Sequence, residues 1–118
     1  MPEIKIIEKY TEYVYPIEQS ENQKSGSLYL MKNLKTGFCK IGYTIDLSRR
    51  EREVSNACGC KINLIDFVEL SYIKADEPVD KAEKWLHKYF KEKRLRGEWF
   101  NLSKADIKSI QNLFIHIA

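Results

Sequence analysis

The chain has 118 residues, of which 43% are hydrophobic, 12% aromatic and 31% charged, a size and composition that fit one folded domain and exclude a disordered or fibrous chain. Its 20 basic and 17 acidic side chains leave a net charge of only +3, which neither requires nor excludes a polyanionic partner. No run nears the roughly 18 apolar residues of a membrane span. Met1 to Tyr10 mixes acids with bases where a secretory leader would be apolar, so a cytoplasmic protein with no membrane partner is expected.

In chain order, Met1 to Ser25 is ambiguous: Ile4, Ile7, Tyr10, Val14 and Ile17 fit a helical period, while Ile4, Ile6, Tyr13 and Tyr15 fit strands as well. This segment carries five acids against three lysines, and the polar run Glu18 to Gly26 reads as a connector. Residues 1–26 are therefore read as an N-terminal extension and 27–118 as the organised domain. Tyr10, Tyr13 and Tyr15 are expected to pack against that domain rather than stack on bases. Ser27 to Lys32 and Phe38 to Tyr43 are short β-prone runs around Asn-Leu-Lys-Thr-Gly, which predicts a hairpin. Asp46 can cap a helix running to about Ala57, with Leu47, Val54 and Ala57 on one face and Gly59 as its stop. Ile62 to Leu70 predicts a third strand, followed by a loop through Asp76.

A second helix is predicted from Pro78, capped by Asp76 and ended by Gly97, with Val79, Ala82, Leu86, Tyr89 and Phe90 as its buried stripe. Ser103 and Asp106 have the spacing of a capping box that opens a last helix, whose buried side holds Ile107, Ile110, Leu113 and Phe114. The cysteines, Cys39, Cys58 and Cys60, are odd in number, and Cys58-x-Cys60 lacks the second ligand pair of a zinc site. Reduced structural thiols are expected, with a metal held by Cys58, Cys60 and His87 as the alternative.

Function is legible where a charge falls on a face that should be apolar, because burying an unpaired charge is costly. Arg50 lies three and four residues from Leu47 and Val54, so it turns with them toward the sheet while Arg49 and Arg52 turn away. An arginine snorkelling at a core edge would show the same spacing. On the second helix Glu83 sits about 70° from the centre of the apolar stripe. It therefore looks into a cleft between helix and sheet, with His87 one turn further on; a surface ion pair is the plainer alternative. Lys40 interrupts an apolar strand. If Lys32 faces Gly37 across a four-residue loop of Asn33 to Thr36, Tyr29 stands opposite Lys40.

The order Ser27-Leu28-Tyr29, Lys40-Ile41-Gly42, Arg50, Glu83 resembles the GIY-YIG nuclease superfamily. The resemblance spans about Ser27 to Asn101. It is closest to the phage-type branch, whose second motif reads Lys-Ile-Gly and whose end carries Gly-Glu-Trp-Phe, here Gly97 to Phe100. The most specific piece is Ile41 to Arg50, where the arginine follows the glycine by eight residues, as in the family. The resemblance implies an α+β fold, a small three-stranded antiparallel sheet flanked by helices, and a metal-dependent endonuclease that hydrolyses phosphodiesters of nucleic acid, DNA before RNA. Carried over, Tyr29 matches the first-motif tyrosine, Lys40 replaces the second-motif tyrosine, Arg50 matches the catalytic arginine and Glu83 the metal-binding glutamate. Ser27 stands where many members have glycine and Lys40 where most have tyrosine. The alternative is a non-catalytic module that binds nucleic acid or a protein on the same scaffold.

The residue types suit the chemistry. A permanently charged guanidinium, Arg50, can stabilise charge that accumulates on a phosphate under attack. Glu83 can anchor Mg²⁺ or Mn²⁺, since Mg²⁺ keeps most of its waters and takes only one or two carboxylates. Tyr29 is expected as general base, its phenolate favoured by the Lys40 ammonium, or with the two roles exchanged. Arg49, His87 and Lys88 are expected to meet the nucleic acid. Glu98 is a candidate acid partner for Arg50 or Lys40, and Trp99 a core plug. Lys81 to Arg96 holds seven basic residues against two acids, the charge a phosphate backbone seeks. One such site cuts one strand, so a double-strand break would need a homodimer, sequential nicking or a protein partner. Within the cell, a nucleoid-associated or, in a eukaryotic host, nuclear location follows.

Overall fold

The computed structural model describes residues 2–13, 25–71 and 81–118. Within them the order is α1 (Pro2–Tyr13), β1 (Ser25–Asn33), β2 (Cys39–Thr44), α2 (Leu47–Cys58), β3 (Ile62–Ser71), α3 (Lys81–Tyr89), β4 (Arg94–Arg96), β5 (Trp99–Phe100) and α4 (Lys104–Ile117). The fold is α+β, as expected, but the antiparallel sheet has five strands, in the order β3-β1-β2-β5-β4, where three were predicted.

The β1–β2 hairpin closes on Asn33, whose Oδ1 accepts from the Lys35 and Thr36 amides at 2.9 and 3.2 Å. Gly37 takes the left-handed conformation, φ 79°, that the return requires. Asn33 N–H donates to the Phe38 carbonyl, so the four-residue loop is Leu34–Gly37 rather than Asn33–Thr36. Lys32 consequently faces Cys39, not Gly37. Tyr29 faces Gly42, and Lys40 faces Met31. The two-residue offset keeps Tyr29 and Lys40 on one face, as diagonal rather than direct neighbours.

That face is covered by α2 and holds Tyr29, Met31, Val54 and Ile62, with Leu47, Leu64 and Trp99 against them. The other face carries the main core, where Leu28, Leu30, Cys39 and Ile41 meet α1, α3 and α4 through Ile6, Leu86, Ile110 and Leu113. β3 serves both layers by means of a bulge between its partners Leu64 and Asp66. The extra residue, Ile65, reverses the alternation, so Ile62 and Leu64 point at α2 while Val68 points into the main core.

The ambiguous start is helical over Pro2–Tyr13 and packs along α4, with Ile6 and Tyr10 buried. Tyr10 meets Trp85 edge-on at 5.1 Å, and Trp85 stacks on Tyr89 at the same distance. Val14, Tyr15 and Ile17, the connector up to Lys24, and the expected Asp76 cap and Pro78 start lie outside the described residues, as does the side chain of Tyr13. The predicted second helix does not reach Gly97. It ends at Tyr89, passes through a tight 3₁₀ turn at Lys91–Lys93 and becomes β4. After Phe90 the sequence offers only Leu95 as an apolar side chain before Gly97, and that leucine is exposed, so nothing holds a further helical turn to the core. Gly97, at φ 58°, instead turns β4 back into β5.

Asp46 caps α2 by accepting from the Arg49 amide at 3.1 Å, and Gly59 closes it in the left-handed conformation, as predicted. That turn brings the Cα atoms of Cys58 and Cys60 to 5.3 Å, and the two sulfurs are bonded. The expected reduced pair is therefore a disulfide, which also removes both sulfurs from any metal set with His87. Cys39 is free and buried. At α4 the predicted capping box is complete: Ser103 Oγ accepts from the Asp106 amide and Asp106 accepts from the Ser103 amide.

Gly42 makes room for Tyr29, since a Cβ there would stand 2.2 Å from the tyrosine oxygen and 2.3 Å from Cζ. Gly42→Ala should cost about 1–3 kcal/mol in urea unfolding by forcing the ring aside. Paired with Tyr29→Ala it should cost less than the two single losses combined, the sign of a shared contact. Asp106→Ala should cost about 1 kcal/mol at neutral pH. Burial raises the Asp106 pKa, but hydrogen bonds from Lys93 and from Ser103 outweigh it and hold the carboxyl below its ordinary value. A depressed pKa stabilises the fold above the unfolded value and loses that stabilisation as pH falls through the folded one. The gap between wild type and Asp106→Ala should accordingly close at the acid end of an unfolding series.

Candidate active site at the open edge of β2

β2 pairs with β5 only at Cys39 and Lys40, so its outer edge beyond them must be satisfied in other ways. The Ile41 amide donates to the Glu98 carbonyl at 3.1 Å, and His87 Nε2–H donates to the Ile41 carbonyl at 2.7 Å. The second bond fixes α3 against the strand and turns His87 inward, with its ring 5.0 Å from Phe100. Glu83, one turn earlier, is thereby held at the same edge, its Oε1 3.6 Å from His87 Nε2, and both side chains are only 13% exposed. This is the border position expected from helical spacing.

Tyr29 reaches the edge from the opposite side. Its ring crosses over Gly42, the residue is fully buried, and its hydroxyl makes no hydrogen bond of ordinary geometry. Burial above all, with the negative charges of Glu98 and Glu83, pushes the Tyr29 pKa up to about 12 against the pull of the Arg50 guanidinium. Arg50, Glu83 and Glu98 thus act on one hydroxyl, although they come from α2, α3 and the β4–β5 turn. Arg50 owes its direction to the β2–α2 corner. Thr44 Oγ1 accepts from the Asp46 amide at 3.1 Å, Asp46 caps the helix, and the first turn then aims Arg50 with Val54 toward the sheet.

The expected phenolate at Tyr29 is not favoured, since the hydroxyl's pKa is raised rather than lowered, and Lys40 is paired elsewhere. Its Nζ pairs with Glu98 Oε2 at 2.7 Å with only 15% of the side chain exposed, and it lies 5.5 Å from the centre of the Trp99 ring. Glu98 in turn lies close enough to Glu83 for the two carboxyls to influence one another's ionisation. Burial raises the Glu98 pKa, but the influence of Glu83 and of Lys40 outweighs it and holds the group below its ordinary value. Glu98 was a candidate acid partner for Arg50 or Lys40; the structure pairs it with Lys40. Its closeness to Glu83 had no signal in the sequence, because it depends on where a two-residue strand docks.

A cleft of about 330 Å³ opens on the α2 side of this cluster, lined by Lys40, Arg50, Glu53, Val54, Cys58 and Trp99. Glu53 receives both Arg49 and Arg50, at 2.9 and 3.5 Å. Arg49 is exposed, so that pair is worth little to stability. The basic run expected on one helix is divided: Lys84 and Lys88 are exposed on α3, while Lys91, Lys93, Arg94 and Arg96 are exposed on the turn and edge strand that follow.

Among the described residues no three or more histidine, cysteine or carboxylate side chains form a metal-holding group, and no helix is long and apolar enough to cross a membrane. Glu83, its side chain 13% exposed, supplies a carboxylate at this edge, while Glu98 is taken up by Lys40. One carboxylate suits a hard cation that needs only one or two.

Tyr29 should ionise near pH 12, against about 10 for an ordinary phenol. Absorbance at 295 nm should therefore show a late step that is missing from Tyr29→Phe. The fold holds this proton after the unfolded chain has lost it, so Tyr29 should make wild-type stability fall as pH rises from about 10 to about 12. Tyr29→Phe should lessen that fall.

No curated protein and no solved structure gives a significant match. A family model, the T5orf172 domain, matches residues 12–115, which include every residue of the β2-edge cluster. The chain belongs to the T5orf172 domain family.

Proposed function

We propose that the protein is a metal-dependent endonuclease of the GIY-YIG type, acting on DNA phosphodiesters at the edge of β2. The observation that carries the reading is the convergence of Arg50 and Glu83, from helices on opposite faces of the sheet, on the single Tyr29 hydroxyl. A binding surface has no need to hold an acid beside an arginine and a phosphate. The family, a phage-associated domain with a nucleic-acid connection, supports the coarser part of the reading.

Each residue then has a task. Arg50 binds the non-bridging oxygens of the phosphate and stabilises the charge that grows on them during attack. Lys40, held by Glu98 at the rim of the cleft, adds positive charge where the strand would lie. Tyr29 is neutral at physiological pH, so its hydroxyl orients the attacking water by hydrogen bonding rather than waiting as a phenolate. Glu83, oriented by His87, would hold Mg²⁺ or Mn²⁺. A bound divalent ion supplies Lewis-acid activation of water and of the phosphate. Lys88 and the exposed bases of the β4 edge extend the contact along the backbone, with Arg49 on the α2 side. A second cut would come from a homodimer, from sequential nicking or from a protein partner.

Plasmid, single-stranded and branched DNA with Mg²⁺ or Mn²⁺ should be nicked by the wild type. Arg50→Ala and Glu83→Ala should each lose about 100-fold or more in rate while retaining DNA binding within a few-fold in gel shift. Cleavage by the wild type no greater than by Glu83→Ala on every substrate would overturn the reading in favour of a binding module.

A further inference from the structure

We propose that the cleft beside Arg50 receives one unpaired nucleotide of the DNA, its base against the Trp99 ring and its phosphate on the Arg50 guanidinium. The protein then selects single-stranded or distorted DNA over continuous duplex. The proposal rests on the nuclease reading and names the substrate class of that same site.

Trp99, the expected core plug, is only partly buried. It packs against the layer of Tyr29, Met31, Val54 and Ile62, and it also lines the cleft. A structural plug would bury the whole indole. An indole that keeps part of its surface at a cleft offers a platform on which any nucleobase stacks. Val54 and Ala57 of α2 add apolar surface to the same cleft.

The charged side of the cleft fits the other half of a nucleotide. The Arg50 side chain is 36% exposed and its contact with Glu53 is long, 3.5 Å, so the guanidinium can turn to a phosphate at little cost. Lys40 Nζ stands 5.5 Å from the centre of the Trp99 ring, held there by Glu98, and adds positive potential from a fixed position. A guanidinium and an indole in one cleft match the anionic and aromatic parts of a nucleotide; a purely aliphatic or a cationic ligand would use only one of them. The volume of about 330 Å³ lies at the small end of the range for ligand sites, room for one nucleotide but not for a base pair with its two backbones. A base in continuous duplex must leave its stack before it can reach Trp99. Unpaired, mismatched or branched DNA has little or none of that cost to meet.

The test is binding of the full chain to oligodeoxynucleotides in the presence of a chelator, so that no strand is cut, read through the fluorescence of Trp99 in a Trp85→Phe background. Trp85 belongs to a separate aromatic stack with Tyr10 and Tyr89, where phenylalanine keeps a ring in place, and it is the only other tryptophan. A single strand, and a duplex carrying an unpaired flap, should quench Trp99; a blunt, fully paired duplex should leave it nearly unchanged. Trp99→Leu should weaken single-strand binding about tenfold, and Trp99→Phe should recover most of the loss. Equal quenching by paired and unpaired DNA, or single-strand binding that Trp99→Leu leaves unchanged, would overturn the proposal. The quenching measurement keeps the native ring, so it decides the matter even where Trp99→Leu loses the fold. Either overturning result leaves the nuclease reading to its own test, the cutting of DNA by the wild type beyond Glu83→Ala.

Discussion

The packing of Tyr29 across Gly42 governs the rest of the molecule. An aromatic ring laid over the facing strand is possible only where that strand has no Cβ, and it carries a hydroxyl from the middle of the sheet to the margin of β2. The other groups are arranged around that oxygen. Arg50 reaches it because Asp46 starts α2 at a fixed point after the strand, and Glu83 because His87 ties α3 to a strand carbonyl. Glu98 arrives with the turn that precedes β5. The cluster thus rests on backbone features, an absent side chain, a cap and an edge hydrogen bond, more than on the affinities of the side chains for one another.

Charge within the cluster is paired in a way that separates duties. Lys40 neutralises Glu98, while the tyrosine hydroxyl is governed by desolvation and by nearby acids and keeps its proton. A tyrosine in that state offers a directed hydrogen bond but little basicity near neutral pH. Arg50, partly exposed at the cleft, remains accessible to an incoming anion while Glu53 balances it from the solvent side.

Much of this could be read in the sequence, for identifiable reasons. The helix from Asp46 to Gly59, the capping box at Ser103 and the strand Ile62 to Ser71 are specified by residues close together in the chain. Arg50 and Glu83 were found by the same local logic, as charges at the edge of an apolar stripe. The hairpin register was misplaced by two residues because both alignments keep the same face inward, and only the turn chemistry of Asn33 and Gly37 separates them. The helix predicted through Arg96 fails because its lysines and arginines permit a helix but supply nothing for it to pack on. Strands as short as Trp99–Phe100 have no pattern of their own; they exist because β2 has an edge to offer. The same cause hid the pairing of Lys40 with Glu98 rather than with another acid. For Pro2–Tyr13 the apolar residues fitted both periods, and packing on α4 decided the matter.

The pairing of α1 with α4 bears on the order in which the fold is completed. The first helix emerges early with Ile6 and Tyr10 on its apolar side, and most of the surface that buries them is made last. β5 and the turn carrying Glu98 also come late, after the hairpin, α2 and β3 have had time to associate. A nascent chain stalled before about residue 98 therefore holds Tyr29 and Arg50 without the acid that orients Lys40, and leaves Ile6 and Tyr10 without α4. The edge cluster and the burial of the first helix are therefore completed together by the segment from Glu98 to α4, and a fragment lacking it holds neither in finished form.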